Sequence, residues 1–365
     1  MKESPFSRRR AALFQTLDRL GLDAAILDDR DDIYYYTGYT GSDALALFSA
    51  TRRHSRLITD PRFREEAEKS APGVETIIWR DSAATEAGKI LCHIGAQKAG
   101  ITPDSLRTAV FYAMRRRAAP IRAWRSLGPE ISDQRAVKDA GEIRAVEKAL
   151  ACAEAAFLAA RGRWRAGMTE IEVKQDLEWE MRRRGADDVA FETIAAAGAN
   201  TSLPHAHAGR RRIRPGKALL VDFGARVNRY HSDLTRTLWC GGIPGTWLKR
   251  YQAVCAANQI GRDAIRAGVS CRAVDAEARR FLDSVGLGGF FSHTLGHGVG
   301  LAIHEEPRLG SRSPHALAPG NIVTVEPGIY LPGAGGIRVE DMVLVTADGS
   351  RTLSSLPRGV DSLVF

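Results

Sequence analysis

Residues 218–237, ALLVDFGARVNRYHSDLTRT, constrain the fold of this chain most, because they predict a β-hairpin inside apolar sequence. Residues 218–223 are strand-like, and residues 230–237 form the returning strand. Asn228-Arg229 can form the two-residue loop between them, although Asn-Gly is the stronger turn signal. A loop of even length fixes which side chains share a face of the hairpin.

Two acids, Asp222 and Asp233, lie within this predicted hairpin. The sum of their residue numbers is odd, as it is for cross-strand partners when the loop has two residues, so both carboxylates lie on one face. Diagonal neighbours on one face are roughly 7–8 Å apart, which allows two aspartates to converge. Two ionised carboxylates in an apolar strand pair repel each other and are costly to desolvate without a cation between them. A divalent metal ion would meet that need; the alternative is a pair of solvated acids near the turn.

Length and composition favour a soluble globular protein with two domains. The chain has 365 residues, 44% hydrophobic and 26% charged. No apolar run approaches the roughly 20 residues of a membrane helix, and the start MKESPFSRRRAALF has no apolar signal core. The five cysteines lack CxxC spacing and are interpreted as free thiols, so we expect a cytoplasmic protein with no membrane partner.

The formal net charge of +9 raises nucleic acid as a possible partner. The arginine clusters are short, far apart and not interleaved with aromatic residues as a base-stacking surface would be; they lie at 8–10, 115–117, 182–184 and 210–212. We therefore expect no nucleic-acid partner, and interpret the clusters as solvated surface.

The first 132 residues alternate short strands with helices, which predicts an α/β domain. Helices are predicted at 8–20, 61–70 and 83–94, and strands at 24–27, 44–49, 56–59 and 74–79. The pattern breaks at 129–139, so we place a second domain at 133–365. This domain begins with a long helix at 140–166, and Thr169 with Glu172 forms a capping box for a helix that continues to residue 184.

A faint internal repeat lies in the second domain. Segments that begin at Gly167 and Gly268 each contain a glycine, a hydroxylic cap two residues later, and a helix that ends near glycine. The repeat predicts two similar halves that face each other, with a possible site between them; chance similarity of two capped helices is the alternative.

Three further stretches place acids or histidines in apolar, glycine-bearing sequence: SHTLGHGVGLAIHEEP, NIVTVEPGIYLPG and GGIRVEDMVLVTADG. Buried acids are rare without a partner, and nearby arginines such as Arg236 and Arg338 could neutralise only part of the set. Two divalent ions would balance four carboxylates, and oxygen ligands with one imidazole favour Mn²⁺, Co²⁺, Fe²⁺ or Zn²⁺. The candidate ligands are Asp222, Asp233, His297, Glu326 and Glu340.

The ordered blocks VDFG, SDLTRT, GHGVG, HEEP, VEPGIY and IRVED resemble the metal-dependent aminopeptidase family with the pita-bread fold. Within that family the chain is similar to the Xaa-Pro peptidases. The segments GLDAAILDD, YYYTGYTGS and ITDPRF resemble the creatinase-type N-terminal domain, so the similarity covers nearly the whole chain. The resemblance implies an N-terminal α/β domain and an α+β pita-bread catalytic domain with pseudo-two-fold halves.

The resemblance also implies roles for individual residues. Asp222 would bind the first metal, and Asp233 and Glu340 would bridge both. His297 and Glu326 would complete the second site, with Glu326 also the proton acceptor. Substrate contacts would come from His304, His205, His293 and Arg338, with His304 and His205 in the catalytic set. Departures from the family pattern, Arg229 at the turn and Pro61-Arg62 after an aspartate, touch no expected ligand, and His207 receives no role.

The function implied is a dinuclear metal-dependent exopeptidase that cleaves after an N-terminal residue followed by proline. We expect an Xaa-Pro aminopeptidase, since no residue clearly caps the carboxylate of a dipeptide; an Xaa-Pro dipeptidase (prolidase) and a non-catalytic binding protein are the alternatives. The expected partners are peptides with proline at the second position. The expected cofactor is a pair of Mn²⁺ ions, with Co²⁺ or Zn²⁺ possible, and the expected assembly is a homodimer.

Overall fold

A computed structural model describes residues 4–118 and 120–365 of the chain. The chain divides into two compact units, Met1–Gln134 and Arg135–Phe365. Within the described ranges, no helix combines the length and the apolar character needed to cross a membrane. The first three residues of the N-terminal segment discussed above lie outside the described ranges.

The N-terminal unit is built on one mixed sheet. Its strand order is β4-β3-β2-β1-β5-β6, where β1 pairs antiparallel with β2 and parallel with β5. Its elements in chain order are α1 (Pro5–Leu20), β1 (Ala24–Leu27), α2 (Arg30–Thr37), β2 (Ala44–Ser49), β3 (His54–Thr59), α3 (Arg64–Ser70), β4 (Glu75–Ile78), α4 (Ala83–His93), β5 (Lys98–Ile101), α5 (Thr108–Arg115), β6 (Ala123–Ser126) and α6 (Gly128–Ala136).

Helices α1, α3 and α4 and strands β1–β4 occupy the segments predicted for them, which confirms the α/β class of this unit. The core forms where strand residues such as Ile26, Leu47 and Ile58 pack against Leu91 and Met114 of the helices. The tyrosines of the YYYTGYTGS segment begin within α2, which Asp29 caps by accepting from the backbone N–H of Asp31 and Asp32.

The second unit follows with two helix pairs, each succeeded by strands. Its elements are α7 (Ala140–Arg161), α8 (Glu170–Arg183), β7 (Asp188–Val189), β8 (Ile194–Ala197), β9 (Ala218–Phe223), β10 (Ala225–Val227), β11 (Tyr230–His231), β12 (Leu234–Trp239), α9 (Gly245–Asp263), α10 (Cys271–Ser284), β13 (Gly296–Gly298), β14 (Glu305–Leu309), β15 (Ile322–Val325), β16 (Gly328–Leu331), β17 (Gly335–Arg338), β18 (Asp341–Val345) and β19 (Ser350–Thr352). The main sheets have the orders β12-β9-β8 and β14-β13-β15-β18-β19.

The secondary structure of two segments in this region differs from the prediction. The segment 129–139, taken as a break in the pattern, is largely helix α6, and the division between the units falls inside it. The long helix predicted at 140–166 ends at Arg161. Gly162 keeps a right-handed helical conformation, but the chain then continues through turns to Gly167, which has φ of 90°.

The internal repeat is present in the structure. Gly167 and Gly268 have φ of 90° and 83°, and their backbone N–H groups donate to Ile213 and Leu317. Thr169 and Ser270 then cap α8 and α10. Each cap residue also forms an isolated antiparallel β-bridge, Thr169 with Arg212 and Ser270 with Ala316. The same glycine, cap and bridge therefore begin the second helix in both halves, which confirms the pseudo-two-fold organisation.

The predicted hairpin is present, but its strands are not continuous. Asn228 and Arg229 have φ of 50° and 70°, which is the pattern of a type I′ turn. The register that this two-residue turn sets between β10 and β11 continues unchanged between β9 and β12. Each strand breaks near Gly224, where an added Cβ would lie 1.9 Å from the carbonyl oxygen of Ser232. The break leaves Asp233 outside the regular ladder, between β11 and β12.

Candidate metal centre

The hairpin brings its two acids together as the register predicted. Asp222 lies directly opposite Thr235, so Asp233 is its diagonal neighbour. Asp233 is 5% exposed and the side chain of Asp222 is 14% exposed. The alternative of two solvated turn acids is therefore wrong.

The five-stranded sheet supplies the other three candidate ligands. His297 is the middle residue of β13, Glu326 directly follows β15, and Glu340 lies between β17 and β18. Strand β13 approaches β15 so closely that a Cβ on Gly296 would lie 1.9 Å from the carbonyl oxygen of Thr324. The glycines in the GHGVG block thus allow His297 to sit deep in the sheet, where it is 6% exposed.

The five groups converge. Ligand atoms of Asp233, His297 and Glu340 all lie within 4.8 Å of one another. The Nε2 atom of His297 is 3.5 Å from Oδ2 of Asp233 and 3.4 Å from Oε1 of Glu326. His297 Nδ1 lies 3.0 Å from the carbonyl oxygen of Gly298, and donation there leaves the Nε2 lone pair free for a metal.

The electrostatics of this cluster are those of a cation site. Burial, together with the neighbouring carboxylates, raises the pKa of Asp233 and of Glu340 well above their usual values. Burial also raises the pKa of Glu326 to about 8, and lowers the pKa of His297 to about 3. A divalent cation would reverse the carboxylate shifts and be bound by a neutral imidazole.

Two carboxylate oxygens in the cluster also indicate a cation site. Among the described residues, Oδ1 of Asp222 and Oε1 of Glu340 are buried and lack a hydrogen-bond partner. Buried carboxylate oxygens are seldom left in this state, because they lose their hydration without compensation. Oxygen donors with one imidazole suit divalent ions such as Mn²⁺, so the residues present fit a metal centre.

A hydrogen-bonded chain lies behind the ligands. Arg338, 3% exposed, donates to Oδ2 of Asp222 at 2.5 Å and to the hydroxyl of Thr235 at 3.0 Å. Thr235 in turn donates to Oε2 of Glu340 at 2.8 Å. Arg338 also donates to the hydroxyl of Tyr330, which lies 2.9 Å from Nε2 of His293. One arginine is thereby connected to two candidate ligands and to a predicted substrate-contacting histidine.

A cavity of about 500 Å³ opens onto the cluster, a volume that suits a short peptide. All the predicted site residues line it, including His205, His293, His304 and Arg338. Burial and the adjacent Arg338 lower the pKa of His293 to about 4, so that ring is neutral at pH 7. The exposed loop residue His207, which had no assigned role, is also part of the wall, 3.5 Å from Glu192.

Sequence reasoning missed three residues of this site. Thr235 and Tyr330 were visible within the SDLTRT and VEPGIY blocks, but only the fold connects them to Arg338. Arg308 lines the cavity, and its side chain is 55% exposed. Strand alternation could not have found it, because the register of β14 against β13 shifts between Gly296 and Gly298.

Comparison with known proteins places this geometry in a family. Residues 144–347 match the model of Metallopeptidase family M24, and residues 9–137 match the Creatinase/Prolidase N-terminal domain. The chain is 31% identical over 346 residues to an Xaa-Pro dipeptidase of Pyrococcus horikoshii, covering 95% of this chain and 96% of that protein.

Solved structures agree over the whole chain. An Xaa-Pro dipeptidase from Bacillus anthracis superposes with a TM-score of 0.93 at 34% identity, covering 99% of this chain and 100% of that one. An X-Pro aminopeptidase from Thermotoga maritima superposes with a TM-score of 0.89 at 32% identity, covering 98% and 99%.

The chain therefore belongs to Metallopeptidase family M24, with a creatinase-type N-terminal domain. The predicted pita-bread fold and the prediction of a metallo-exopeptidase are confirmed. The family depends on a dinuclear metal centre, and the buried cluster described above provides a candidate for it.

Proposed function

We propose that the protein hydrolyses Xaa-Pro dipeptides, with two divalent ions, Mn²⁺ foremost, as cofactors. The observation that carries the dipeptide preference is the position of Arg308. The sequence favours the aminopeptidase, because no residue in it clearly receives the carboxylate of a dipeptide. Arg308 supplies such a cation in the wall of the cavity, and Arg–carboxylate pairing is well suited to that task.

The metal ligands proposed are those expected from the sequence. Asp222 would help to hold one ion, His297 and Glu326 would help to hold the other, and Asp233 and Glu340 would contribute to both. The unpartnered oxygens of Asp222 and Glu340 and the crowding of four acids support this division. When bound, such ions supply Lewis-acid activation of water and of the peptide carbonyl.

The chain's own residues would handle protons and orientation. Glu326 accepts the proton of the attacking water and passes it to the leaving proline nitrogen, which has no hydrogen of its own in the peptide. His304 donates a hydrogen bond to the carbonyl oxygen as negative charge develops there. His205, His293 and Arg338 line the substrate side, where neutral His293 is held by Tyr330.

An Xaa-Pro aminopeptidase is the second candidate. It is favoured by the similarity to the Thermotoga maritima X-Pro aminopeptidase over almost all of both chains. In that case Arg308 would contact a longer peptide instead of its terminal carboxylate. The two candidates share chemistry and differ in the length of the preferred substrate.

The test compares Ala-Pro, Ala-Pro-Ala and Ala-Ala with the Mn²⁺-loaded enzyme, using mass spectrometry to follow products. We expect Ala-Pro to be cut at least tenfold faster in kcat/KM than Ala-Pro-Ala, and Ala-Ala poorly. Arg308→Ala should raise KM for Ala-Pro and leave Ala-Pro-Ala nearly unchanged, whereas Arg308→Lys should retain part of the preference. Exhaustive chelation should abolish turnover, and Mn²⁺ or Co²⁺ should restore it.

A preference for Ala-Pro-Ala over Ala-Pro would establish the aminopeptidase instead. Full activity in enzyme shown by elemental analysis to be metal-free would contradict both candidates. The homodimer, the cytoplasmic location and the boundary at residue 132 stay predictions, which light scattering, fractionation and limited proteolysis can test.

A further inference from the structure

Glu170, the first residue of α8, is a buried carboxylate for which the mechanism has no use. It is 1% exposed. One oxygen, Oε1, accepts from the backbone N–H of Ala197 at 2.8 Å and from Nδ2 of Asn200 at 2.9 Å, and Oε2 accepts from the backbone N–H of Gly209 at 3.1 Å. Within the described part of the chain, three N–H donors and no cation therefore compensate this buried charge.

These donors lie at the two ends of one loop. Ala197 ends β8, Asn200 lies in the 3-10 helix Gly198–Ser202, and Gly209 is twelve residues beyond Ala197 in sequence. A single carboxylate thus ties the start of the loop to its end. The backbone at the start of α8 adds to this tie, because the N–H of Ile171 donates to the carbonyl of Gly209.

The loop that Glu170 closes forms one wall of the metal cavity. Pro204, His205, Ala206 and His207 all line the cavity. The carbonyl of Pro204 accepts from Arg338 at 3.3 Å, and the hydroxyl of Thr201 accepts from the backbone N–H of Gly336 at 2.7 Å. Those two contacts fix the first part of the loop, whereas the part after His205 is tied back through Gly209.

Helix capping does not explain Glu170. The capping box of α8 consists of Thr169 and Glu172, whose side chain accepts from the backbone N–H of Thr169 at 2.7 Å. Glu172 and Glu170 both gain from the positive end of the helix dipole. Within the described residues, Glu170 and not Glu172 accepts from Ala197, Asn200 and Gly209 at the two ends of the loop.

We propose that Glu170 is a positioning residue, which acts through the loop 198–209 to hold His205 against the substrate. The inference rests on the proposed function in so far as His205 contacts substrate. Displacing a substrate-contacting group by about 1 Å costs on the order of 10²-fold in rate. We therefore expect Glu170, the clamp of this loop, to affect turnover although it lies outside the cavity.

The test is a double-mutant cycle between Glu170→Gln and His205→Ala, with kcat/KM for Ala-Pro as the readout. Glutamine keeps the shape but turns an amide NH₂ towards one of the N–H donors, which loosens one end of the loop. Each single variant should lose at least tenfold in kcat/KM. The double variant should lose no more than about twofold beyond His205→Ala alone, because Glu170 acts through His205.

Glu172→Gln is the matched control. It alters a carboxylate in the same helical turn that caps α8 without reaching the loop, so its kcat/KM should stay within about twofold of the unaltered enzyme. Elemental analysis should find the metal content of Glu170→Gln unchanged. Amide hydrogen exchange should become faster in Glu170→Gln at residues 198–209, whether or not the protein is active.

Additive losses in the cycle, or unchanged exchange in the loop, would overturn the inference. If Glu170→Gln fails to fold, Asn200→Ala removes one contact to the intact carboxylate and should show a smaller loss with the same lack of additivity. An unaltered enzyme inactive on Ala-Pro would contradict the proposed function, and exchange in the loop would still decide whether Glu170 is the clamp.

Discussion

At the scale of single residues, the candidate metal centre depends on groups that touch the ligands without being ligands. Thr235 is the clearest case, because it accepts from Arg338 and donates to Glu340. We expect Thr235→Val, which keeps the shape and removes the hydroxyl, to weaken metal binding about 10–100-fold. Titration of the metal-free variant with Mn²⁺ measures the change.

Thr193→Val provides the control for this variant. Thr193 is also a buried threonine, 1% exposed, but its hydroxyl lacks a partner among the described residues. Its replacement should leave metal affinity unchanged and protein stability equal or higher. Equal affinities for the Thr235 and Thr193 variants would show that the hydroxyl of Thr235 does not orient Glu340.

Replacing His304 distinguishes residues that bind the metal from residues that contact the substrate. His304 is not one of the four acids and one histidine of the cluster, and its ring centroid is 4.4 Å from that of His297. We expect His304→Ala to retain its metal and lose about 10²–10³ in kcat, the typical cost of one lost donor to the reacting carbonyl. Asp233→Asn should instead lose metal and activity together. Loss of metal from His304→Ala would make His304 a ligand.

At the scale of elements, the turn of the hairpin places backbone strain on Arg229, which a glycine at that position would relieve. Arg229 has φ of 70°, in the left-handed region that costs a non-glycine residue about 1–2 kcal/mol. We expect Arg229→Gly to have a free energy of unfolding about 1 kcal/mol higher than Arg229→Ala. Urea unfolding of both variants measures the difference, and their comparison cancels the loss of the arginine side chain. Equal stabilities would show that the turn does not strain residue 229.

At the scale of the whole molecule, acid stability should depend on Glu305. Its carboxylate accepts from Arg135 at 2.5 Å, from Lys138 at 2.9 Å and from the backbone N–H of Ala302. Burial alone would raise the pKa of Glu305, but Lys138 and Arg135 outweigh it and lower the pKa to about 2 from an ordinary 4.5. This group therefore stabilises the folded state by about 3 kcal/mol above pH 4.5, and the stabilisation disappears as pH falls towards 2.

Glu305→Gln should accordingly lower the free energy of unfolding by about 3 kcal/mol at pH 7, with the deficit shrinking as the pH is lowered below 4.5. Urea titrations between pH 7 and pH 3 measure both quantities. Glu65→Gln is the control, because the Glu65 side chain, which pairs with Lys69, is 81% exposed. It should change the free energy of unfolding by no more than about 0.5 kcal/mol. A deficit that is constant with pH would contradict the assignment.

The sequence alone determined the parts of this protein that local chemistry specifies. Period-two and period-3.6 patterns predicted strands β1–β4 and helices α1, α3, α4 and α7, and the capping box predicted the start of α8. The parity of a two-residue loop predicted that Asp222 and Asp233 share a face, because hairpin register depends on the turn itself. The need to neutralise acids in apolar sequence predicted the cluster.

The tertiary structure decided what depends on contacts between distant segments. The connection of Arg338 to Asp222 spans 116 residues, and that of Thr235 to Glu340 spans 105. Only the fold places Arg308 in the wall of the cavity. Only the fold brings Glu170 into contact with both ends of the loop. Local pattern cannot reveal such pairings, because hydrogen bonds across the fold depend on packing that no single segment encodes.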